Sequence, residues 1–377
     1  MKPRVLFVAR LRYRLPLSRS LRTKFEALER QLDMRVLASA PPEATAGDDT
    51  FTLVRPFPVR KLDGLAFWVS LPLRTARELR RFRPDVVLVQ GAHEAAAVLL
   101  GRALARRPVR VILDVHGDWR LATRLYGSPA RRLLNPLADR VAVHAVRRVD
   151  AVRTLSDFTT SLVRDVGVEP DAVFPAFMDL EPFLEPPHPL PREPAALFVG
   201  VLEPSKNIDG LAAAWRLAAP RVPGAELRII GRGSRASVVE RLLRDLPGQT
   251  RWTPELTTEE VAAELDRATF LVLPSWREGL PRVVVEALCR GRPVVGARAG
   301  GILDLVRDGE NAILADPADT DALAEALVSL LTDRVLTDAL AANARPSAEP
   351  FIATPEQYAE SLSELVAAAR TDEARIA

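Results

Sequence analysis

The glutamates Glu278 and Glu286 are the residues best suited to chemistry in this sequence. They follow a short apolar run at 270–273, whose length and turn-rich flank are typical of a buried parallel strand. Pro281 suits the first turn of a following helix, and Gly291 lies just past its last apolar residues. A carboxylate accepts two hydroxyl protons, so either glutamate could bind a vicinal diol. Because ligands bind at the carboxyl ends of parallel strands, we predict a ligand site here; the alternative is two solvated glutamates on a loop and a helix.

Glycine-containing turns and one lysine predict an anion site in the same half of the chain. Gly200 ends an apolar run at 196–199, and Lys206 lies shortly before a helix that Asn207 can cap. A helix N-terminus beside a lysine is a natural anion site. The turn Gly279-Leu280-Pro281 offers a second anion site, Gly231 lies in a partial Rossmann-type turn, and Gly300 and Gly301 follow the predicted strand 293–295.

In the first half, His116 follows a predicted strand at 111–115. A lone histidine is more often structural than functional, but its position at a strand end favours a functional role. Ser156 follows the predicted strand 151–154 in the same way, and a helix cap would explain it equally well.

Apolar runs alternate with helical patterns in both halves, which predicts an α/β protein with two parallel sheets of Rossmann type. We place an N-terminal domain at 1–183, a proline-rich linker at 184–195 and a C-terminal domain at 196–350. An amphipathic helix follows within 354–377. The predicted strands are 5–8, 35–38, 86–89, 111–115, 151–154, 196–199, 226–230, 270–273, 293–295 and 312–314.

The spacing of Glu278 and Glu286, each followed by a small residue, resembles the E-x7-E signature of family 4 glycosyltransferases. The resemblance implies the GT-B fold, two Rossmann-like domains with a cleft between them, and a last helix that returns to the first domain. It implies a retaining, metal-independent transfer of a hexosyl-type sugar from a nucleotide-diphosphate sugar, with no cofactor besides this substrate. On this resemblance Glu278 contacts the transferred sugar, Glu286 binds the ribose, Lys206 binds the diphosphate and His116 contacts the sugar.

Several positions depart from the family pattern. Val201 stands where an arginine is usual beside the diphosphate. Gly300 and Gly301 resemble the start of the family's GG-x-x-E element, with Asp304 where a glutamate is commoner. The loop 9–16 lacks paired glycines, and Ala176-Phe177 replaces the usual Asn-Gly. Two other functions therefore stay open. One is a catalytically weakened GT-B protein that binds a sugar nucleotide or a partner without transfer, and the other is a sugar-nucleotide epimerase. The acceptor of a transferase (a glycan, a lipid or a small molecule) is unidentified.

Composition narrows the class of protein. The chain has 377 residues, an apolar fraction of 48% and a net charge of only +3, which argues against a nucleic-acid binder. A single cysteine and no apolar run of membrane-span length lead us to expect a cytoplasmic protein. The apolar and aromatic stretch 64–73 precedes an arginine-rich run. It suits either peripheral association with the inner face of an anionic membrane or a helix packed in the first domain.

Overall fold

The computed structural model describes residues 2–42, 47–59, 63–121, 124 and 134–371. They form two compact units, Met1–Phe177 with Ala353–Ala377, and Met178–Ile352. The division after residue 177 comes earlier than the one that we placed after residue 183. The last six residues of the segment 354–377 lie outside the described residues.

The first unit contains a seven-stranded parallel sheet in the order β3-β2-β1-β4-β5-β6-β7. Its strands are β1 (Arg4–Arg12), β2 (Asp33–Ser39), β3 (Phe51–Val54), β4 (Val86–Gln90), β5 (Arg110–Val115), β6 (Ala151–Thr154) and β7 (Ala172–Val173). The helices between them are α1 (Arg19–Gln31), α2 (Asp63–Arg81), α3 (Ala92–Ala105), α4 (Asn135–Arg148) and α5 (Asp157–Arg164).

The second unit contains a six-stranded parallel sheet in the order β10-β9-β8-β11-β12-β13. Its strands are β8 (Ala195–Val199), β9 (Glu226–Ile230), β10 (Thr250–Thr253), β11 (Phe270–Leu273), β12 (Val294–Ala297) and β13 (Ala312–Ala315). Its helices are α6 (Ile208–Ala218), α7 (Ala236–Asp245), α8 (Thr258–Asp266), α9 (Arg282–Cys289), α10 (Thr320–Thr332) and α11 (Arg334–Ala348).

Alternating side chains of the first sheet pack into two apolar layers, because successive residues of a strand point to opposite faces. Leu6 and Val87 belong to the layer beneath α2, α3 and α4. Val5 and Val86 belong to the layer on the opposite face, beneath α1. Each central strand is thus covered on both sides, which explains its nearly continuous apolar sequence.

The final helix, α12 (Pro355–Thr371), packs on the first unit beside α1. Arg30 donates to Glu356 at 2.8 Å, and the Lys24 ammonium lies 5.3 Å from the centre of the Tyr358 ring. Leu362 is fully buried in the same layer. The helical apolar spacing read from the sequence therefore corresponds to the buried face of α12.

The proline-rich segment 184–195, expected to be a linker, is part of the second unit. Proline has no N–H group, so this segment offers mainly carbonyl groups that need donors. Four arginines supply them. Arg345 donates to the carbonyls of Leu184 and Glu185 at 2.6 and 2.7 Å. Arg290 donates to Glu185, Arg292 to His188 and Arg334 to Pro191.

Candidate functional site

The site residues predicted in the second half lie in turns at the carboxyl ends of its parallel strands. Gly200 follows β8, Gly231 follows β9, and the turn that carries Glu278 follows β11. Gly300 follows β12. After β8 the chain adds β9 and β10 on one side of the sheet, and after β11 it adds β12 and β13 on the other side. The topological switch point therefore lies between β8 and β11. In open parallel sheets this is where ligands bind.

Lys206 and Glu278 form an ion pair at the switch point. Lys206 Nζ lies 2.6 Å from Glu278 Oε1, and the two side chains keep 18% and 15% of their surface exposed. The loops that carry them are also joined by their backbones, since Trp276 N donates to Ser205 O at 2.9 Å. The structure therefore brings together an ammonium and a carboxylate from two separate turns, both within reach of solvent.

Gly300 and Gly301 support the turn that carries Glu278. Gly301 N donates to Glu278 O at 2.9 Å. Gly300 has a φ of +58°, and a Cβ at this position would come within 2.6 Å of Glu278 O. A Cβ on Gly301 would overlap with the carbonyl of Gly279. Only glycine permits such a close approach of the two backbones, so Gly300 and Gly301 help to fix the position of the turn that carries Glu278.

Gly231 has a similar role on the other side of the switch point. It has a φ of +144°, and a Cβ there would overlap with the carbonyl of Gly200. Gly200 N in turn donates to Ile230 O at 3.0 Å. These two glycines thus let the turns after β8 and β9 lie in contact.

Glu286 lies on α9 and is 7% exposed. Its Oε1 accepts a hydrogen bond from Arg282 Nε at 2.5 Å, and Arg282 Nη2 donates to Asp179 O at 2.9 Å. Burial raises the pKa of the Glu286 carboxyl above its usual value, although Arg282 acts in the opposite direction. The side chain is therefore a hydrogen-bond acceptor that loses its negative charge at a higher pH than a solvated glutamate does.

The two helix N-termini beside the ion pair differ. Asn207 caps α6, as expected, by accepting from Gly210 N at 3.2 Å. That one N–H group of the first turn is therefore already used. At α9 the N-cap is Pro281, and it makes no side-chain cap. The first turn of α9, next to Leu280, is the better candidate for an anion.

Val201 is 55% exposed on the turn after β8. Arg232, whose backbone carbonyl accepts from Leu202 N at 2.8 Å, pairs through its side chain with Glu255 at 3.2 Å, and both of these side chains are exposed. The valine that stands where the family usually has an arginine thus lies at an exposed position.

In the first unit, His116 comes directly after β5 and is held by a buried ionic chain. His116 Nε2 lies 2.8 Å from Asp114 Oδ2, and Asp114 Oδ1 accepts from Arg153 Nη1 at 2.8 Å. Arg153 is fully buried and stacks on Phe174, 3.9 Å from its ring centre. Burial acts to raise the pKa of Asp114, but Arg153 and His116 outweigh it and hold this pKa well below its usual range. Asp114 therefore stays ionised and fixes the imidazole by its Nε2 edge.

Asp114 and Arg153 were not singled out in the sequence. They are direct partners in the pairing of β5 with β6, and both lie within short apolar runs. A charged residue inside a predicted buried strand is unusual unless it is paired. The presence of two oppositely charged residues, Asp114 and Arg153, in two consecutive predicted strands is therefore the sequence signal that could have identified this pair.

Ser156 caps α5 in a reciprocal capping box with Thr159, so the helix-cap explanation accounts for its position. Among the described residues, no three His, Cys, Asp or Glu side chains are grouped as a metal site would require. Within the same residues, no helix has the length and hydropathy needed to cross a bilayer.

The two α/β units define the GT-B class of fold, and solved structures agree over nearly the full chain. Sucrose-phosphate synthase from Thermosynechococcus elongatus matches with a TM-score of 0.76 at 18% identity, covering 98% of this chain and 99% of that one. Anabaena HepE in complex with UDP matches with a TM-score of 0.68 at 17% identity, covering 98% and 100%. The predicted fold class, two Rossmann-like domains, is confirmed.

Two family models match in succession. "Glycosyltransferase Family 4" matches residues 17–181 and "Glycosyl transferases group 1" matches residues 193–333, together well over half of the chain. The chain belongs to glycosyltransferase family 4, which confirms the resemblance drawn from the two glutamates.

Characterised relatives of several kinds are similar to the chain. Sulfoquinovosyl transferase of Arabidopsis thaliana is 25% identical over 312 residues, which cover 79% of this chain and 59% of that protein. D-inositol 3-phosphate glycosyltransferase of a Nocardioides species is 32% identical over 180 residues, 43% of this chain and 39% of that protein. Alpha-D-kanosaminyltransferase of Streptomyces kanamyceticus is 26% identical, covering 75% and 76%. The chain thus spans less than two thirds of the first two of these relatives.

Proposed function

We propose that this protein transfers a sugar from a nucleotide-diphosphate sugar to an acceptor hydroxyl, with retention of the anomeric configuration. The observation that carries the proposal is the Lys206–Glu278 ion pair at the switch point of the second sheet. A cation and a carboxylate side by side match a ligand that presents a diphosphate next to sugar hydroxyls. Solved structures of HepE with UDP and with UDP-glucose support a donor of this chemical class.

On binding, the donor would replace the present ion-pair partners of Lys206, Glu278 and Glu286 within the protein. The Lys206 ammonium turns from Glu278 to the diphosphate, and the uncapped first turn of α9 contributes backbone N–H groups. Glu278, released from Lys206, accepts hydrogen bonds from hydroxyls of the transferred sugar. Glu286 accepts from the two ribose hydroxyls, a diol that suits a carboxylate.

In the transfer itself, the bond from the anomeric carbon to the diphosphate oxygen breaks and its electron pair leaves with the diphosphate. A new bond forms from the acceptor oxygen to the anomeric carbon, and the proton of the acceptor hydroxyl passes to the leaving diphosphate oxygen. Negative charge grows on the leaving diphosphate, so Lys206 and the α9 N-terminus stabilise the transition state more than the bound donor. His116 is proposed to contact the transferred sugar, with Asp114 holding its ring in orientation.

The donor site can be tested with the nucleotides alone. Thermal shift against UDP, GDP, ADP and TDP should show stabilisation by at least one of them, because a ligand that binds the folded state raises Tm. The variant Lys206→Ala should lose that shift. Arg241→Ala, an exposed cation on α7, is the matched control and should keep it. If no nucleoside diphosphate stabilises the protein, or if both variants bind equally well, the assignment of this site is wrong.

Transfer is tested with the sugar nucleotides of the base selected in this way. Release of nucleoside diphosphate should accompany formation of a product, and NMR of the product should show the anomeric configuration of the donor. An inverted product would contradict the retaining mechanism.

The exposed Val201 favours one second candidate, a GT-B protein that binds a sugar nucleotide without transferring it. A missing cation beside a diphosphate removes about 1.5–3 kcal/mol of charge-assisted bonding, which weakens leaving-group stabilisation. Nucleotide binding with neither hydrolysis nor transfer across the donor panel would support this candidate over the transferase.

A further inference from the structure

Helices α2, α3 and α4 carry exposed apolar side chains on the outer side of the first unit. On α2, Leu65, Val69 and Leu73 keep 61%, 69% and 67% of their surface exposed, whereas Phe67 and Leu71 on the opposite side are buried. The three exposed residues follow one another at helical spacing and form a continuous stripe. Leu100 of α3 and Leu137 and Val141 of α4 extend the exposed apolar surface. We call these outer sides of the three helices the outer helical surface.

An open groove of about 650 Å³ lies between α3 and α4 on this surface. On the α3 side it is lined by Ala96, Leu99 and Leu100 together with Arg102, which is paired with Asp150, and on the α4 side by Val141 and the basic residues Arg140, His144 and Arg148. These three basic residues recur every fourth position along α4, so they lie in one row. The groove therefore combines an apolar floor with a line of side chains that bind phosphate oxygens well.

Charge on the outer helical surface is strongly one-sided. The exposed arginines of these helices are Arg74, Arg77, Arg80, Arg81, Arg140, Arg147 and Arg148. Their acidic residues are Asp63, Glu78, Glu94 and Asp139, all buried or half-buried, with 20% of the Asp63 side chain and 24% of the Asp139 side chain exposed. Glu78 is 5% exposed and pairs with Arg35, and Asp63 accepts from Phe57 N. The surface thus presents an excess of positive charge around apolar side chains, and the few carboxylates of these helices are only partly open to solvent.

We propose that the outer helical surface docks on an anionic phospholipid bilayer. Leu65, Val69 and Leu73 would enter the boundary between headgroups and acyl chains, and the arginines would contact lipid phosphates. Amphipathic helices with apolar and basic sides bind membranes in this way. A second copy of the chain is the poorer partner, because a two-fold interface would place the same arginines opposite each other.

Flotation of the full chain with vesicles tests the proposal. Vesicles of phosphatidylcholine alone are compared with vesicles of equal parts phosphatidylcholine and phosphatidylglycerol, at low and at physiological salt. We expect binding to the anionic vesicles only, and weaker binding at the higher salt because the charges are screened. No binding to the anionic vesicles at low salt would overturn the proposal.

Two sets of surface variants separate the apolar contribution from the charge. Arg140→Gln with Arg148→Gln should lower partitioning by about thirtyfold, since each arginine near an anionic surface contributes about fivefold. Val69→Asp with Leu73→Asp should abolish flotation even at low salt. The matched controls, both in the second unit, are Arg241→Gln with Arg244→Gln and the single change Val335→Asp, where Val335 is 82% exposed.

All of these side chains are exposed, so the variants should keep the wild-type Tm. Flotation reduced as much by the controls as by the outer-surface variants would contradict the proposal. So would a chain that fails to float and instead forms a dimer dissociated by Val69→Asp with Leu73→Asp. Neither readout depends on transfer activity, so failure here and failure of the proposed transferase are distinguishable.

Discussion

The two units hold their candidate site charges in opposite ways. In the second unit, Glu278 is paired with Lys206, and both side chains are in contact with solvent. Glu286 is paired with Arg282, whose side chain is 40% exposed. In the first unit, the carboxylate of Asp114 is sealed between His116 and the fully buried Arg153.

This difference separates charges that can change partners from charges that cannot. A partner in contact with solvent can turn to a ligand at a smaller energetic cost than a fully buried one, because water partly replaces the contact that is lost. A buried pair cannot be broken cheaply, because the remaining charge has no solvent to replace its partner. We infer that the second unit presents exchangeable charges to a donor, whereas the first unit uses its ion pair to hold one histidine in place.

The largest expected effect is on stability, in the first unit. Arg153→Ala leaves the Asp114 carboxylate buried with only His116 beside it, so we expect a loss of about 3–5 kcal/mol in the free energy of unfolding. Lys206→Ala is the matched change in the second unit and should lose less, about 1–2 kcal/mol, because solvent reaches both side chains of this partly buried pair. Urea denaturation of both variants measures the contrast. Equal losses would remove the distinction between the two ion pairs.

Next in size is an effect on turnover in the second unit. Glu278→Gln keeps the size of the side chain and removes its charge. If Glu278 contacts the transferred sugar in the transition state, kcat should fall about a hundredfold while Kd for the nucleoside diphosphate changes little. Glu255→Gln, an exposed glutamate of the same unit, is the control. A loss of nucleotide affinity as large as that of a Glu286 variant would refute separate roles for the two glutamates.

Glu286 should show itself in nucleotide affinity and in its pH dependence. Glu286→Gln should weaken nucleoside diphosphate binding by about 1.5–3 kcal/mol, tenfold or more. Burial raises the pKa of this carboxyl, so it loses its charge at a higher pH than a solvated glutamate. The wild-type affinity should therefore increase as pH rises through that pKa.

Calorimetric titration over a pH series measures both effects. Titration of the ligand phosphate is common to the two proteins, so the difference between them isolates Glu286. Parallel pH profiles for wild type and Glu286→Gln would show that the charge of this carboxyl does not take part in binding.

The smallest expected effect is a gain of affinity at Val201. Arg in place of this exposed valine should add a charge-assisted contact to the diphosphate and tighten binding about tenfold. Val201→Gln adds a side chain of similar length without the charge and should not tighten it. Weaker binding by Val201→Arg would indicate a cation already in place, and unchanged binding would show that the side chain does not face the phosphates.

The sequence predicted more of the second unit than of the first, for a physical reason. The Glu278 turn, the strand before it and Gly291 after α9 all depend on local patterns of apolar and turn residues. The Lys206–Glu278 pair depends on β8 lying beside β11, a non-local fact. The Asp114–Arg153 pair depends on the register of β5 against β6, which no local pattern encodes. The short strands β3, β7 and β10, at sheet edges, were also missed because their alternation is brief.

The arginine-bound carbonyls of the proline-rich segment determine where the second unit begins as a folding unit. Arg290 and Arg292 are each 1% exposed, and both donate to carbonyls in 184–195. A fragment that starts at residue 196 would lose these charge-assisted hydrogen bonds, about 1.5–3 kcal/mol for each, and would keep only the bonds of the two arginines to Leu265 and Asp266. A fragment that starts at Met178 keeps all of these bonds. The proline-rich segment, which the sequence predicts to be a linker, is thus an integral part of the second unit. An expressed fragment of this unit has to include it.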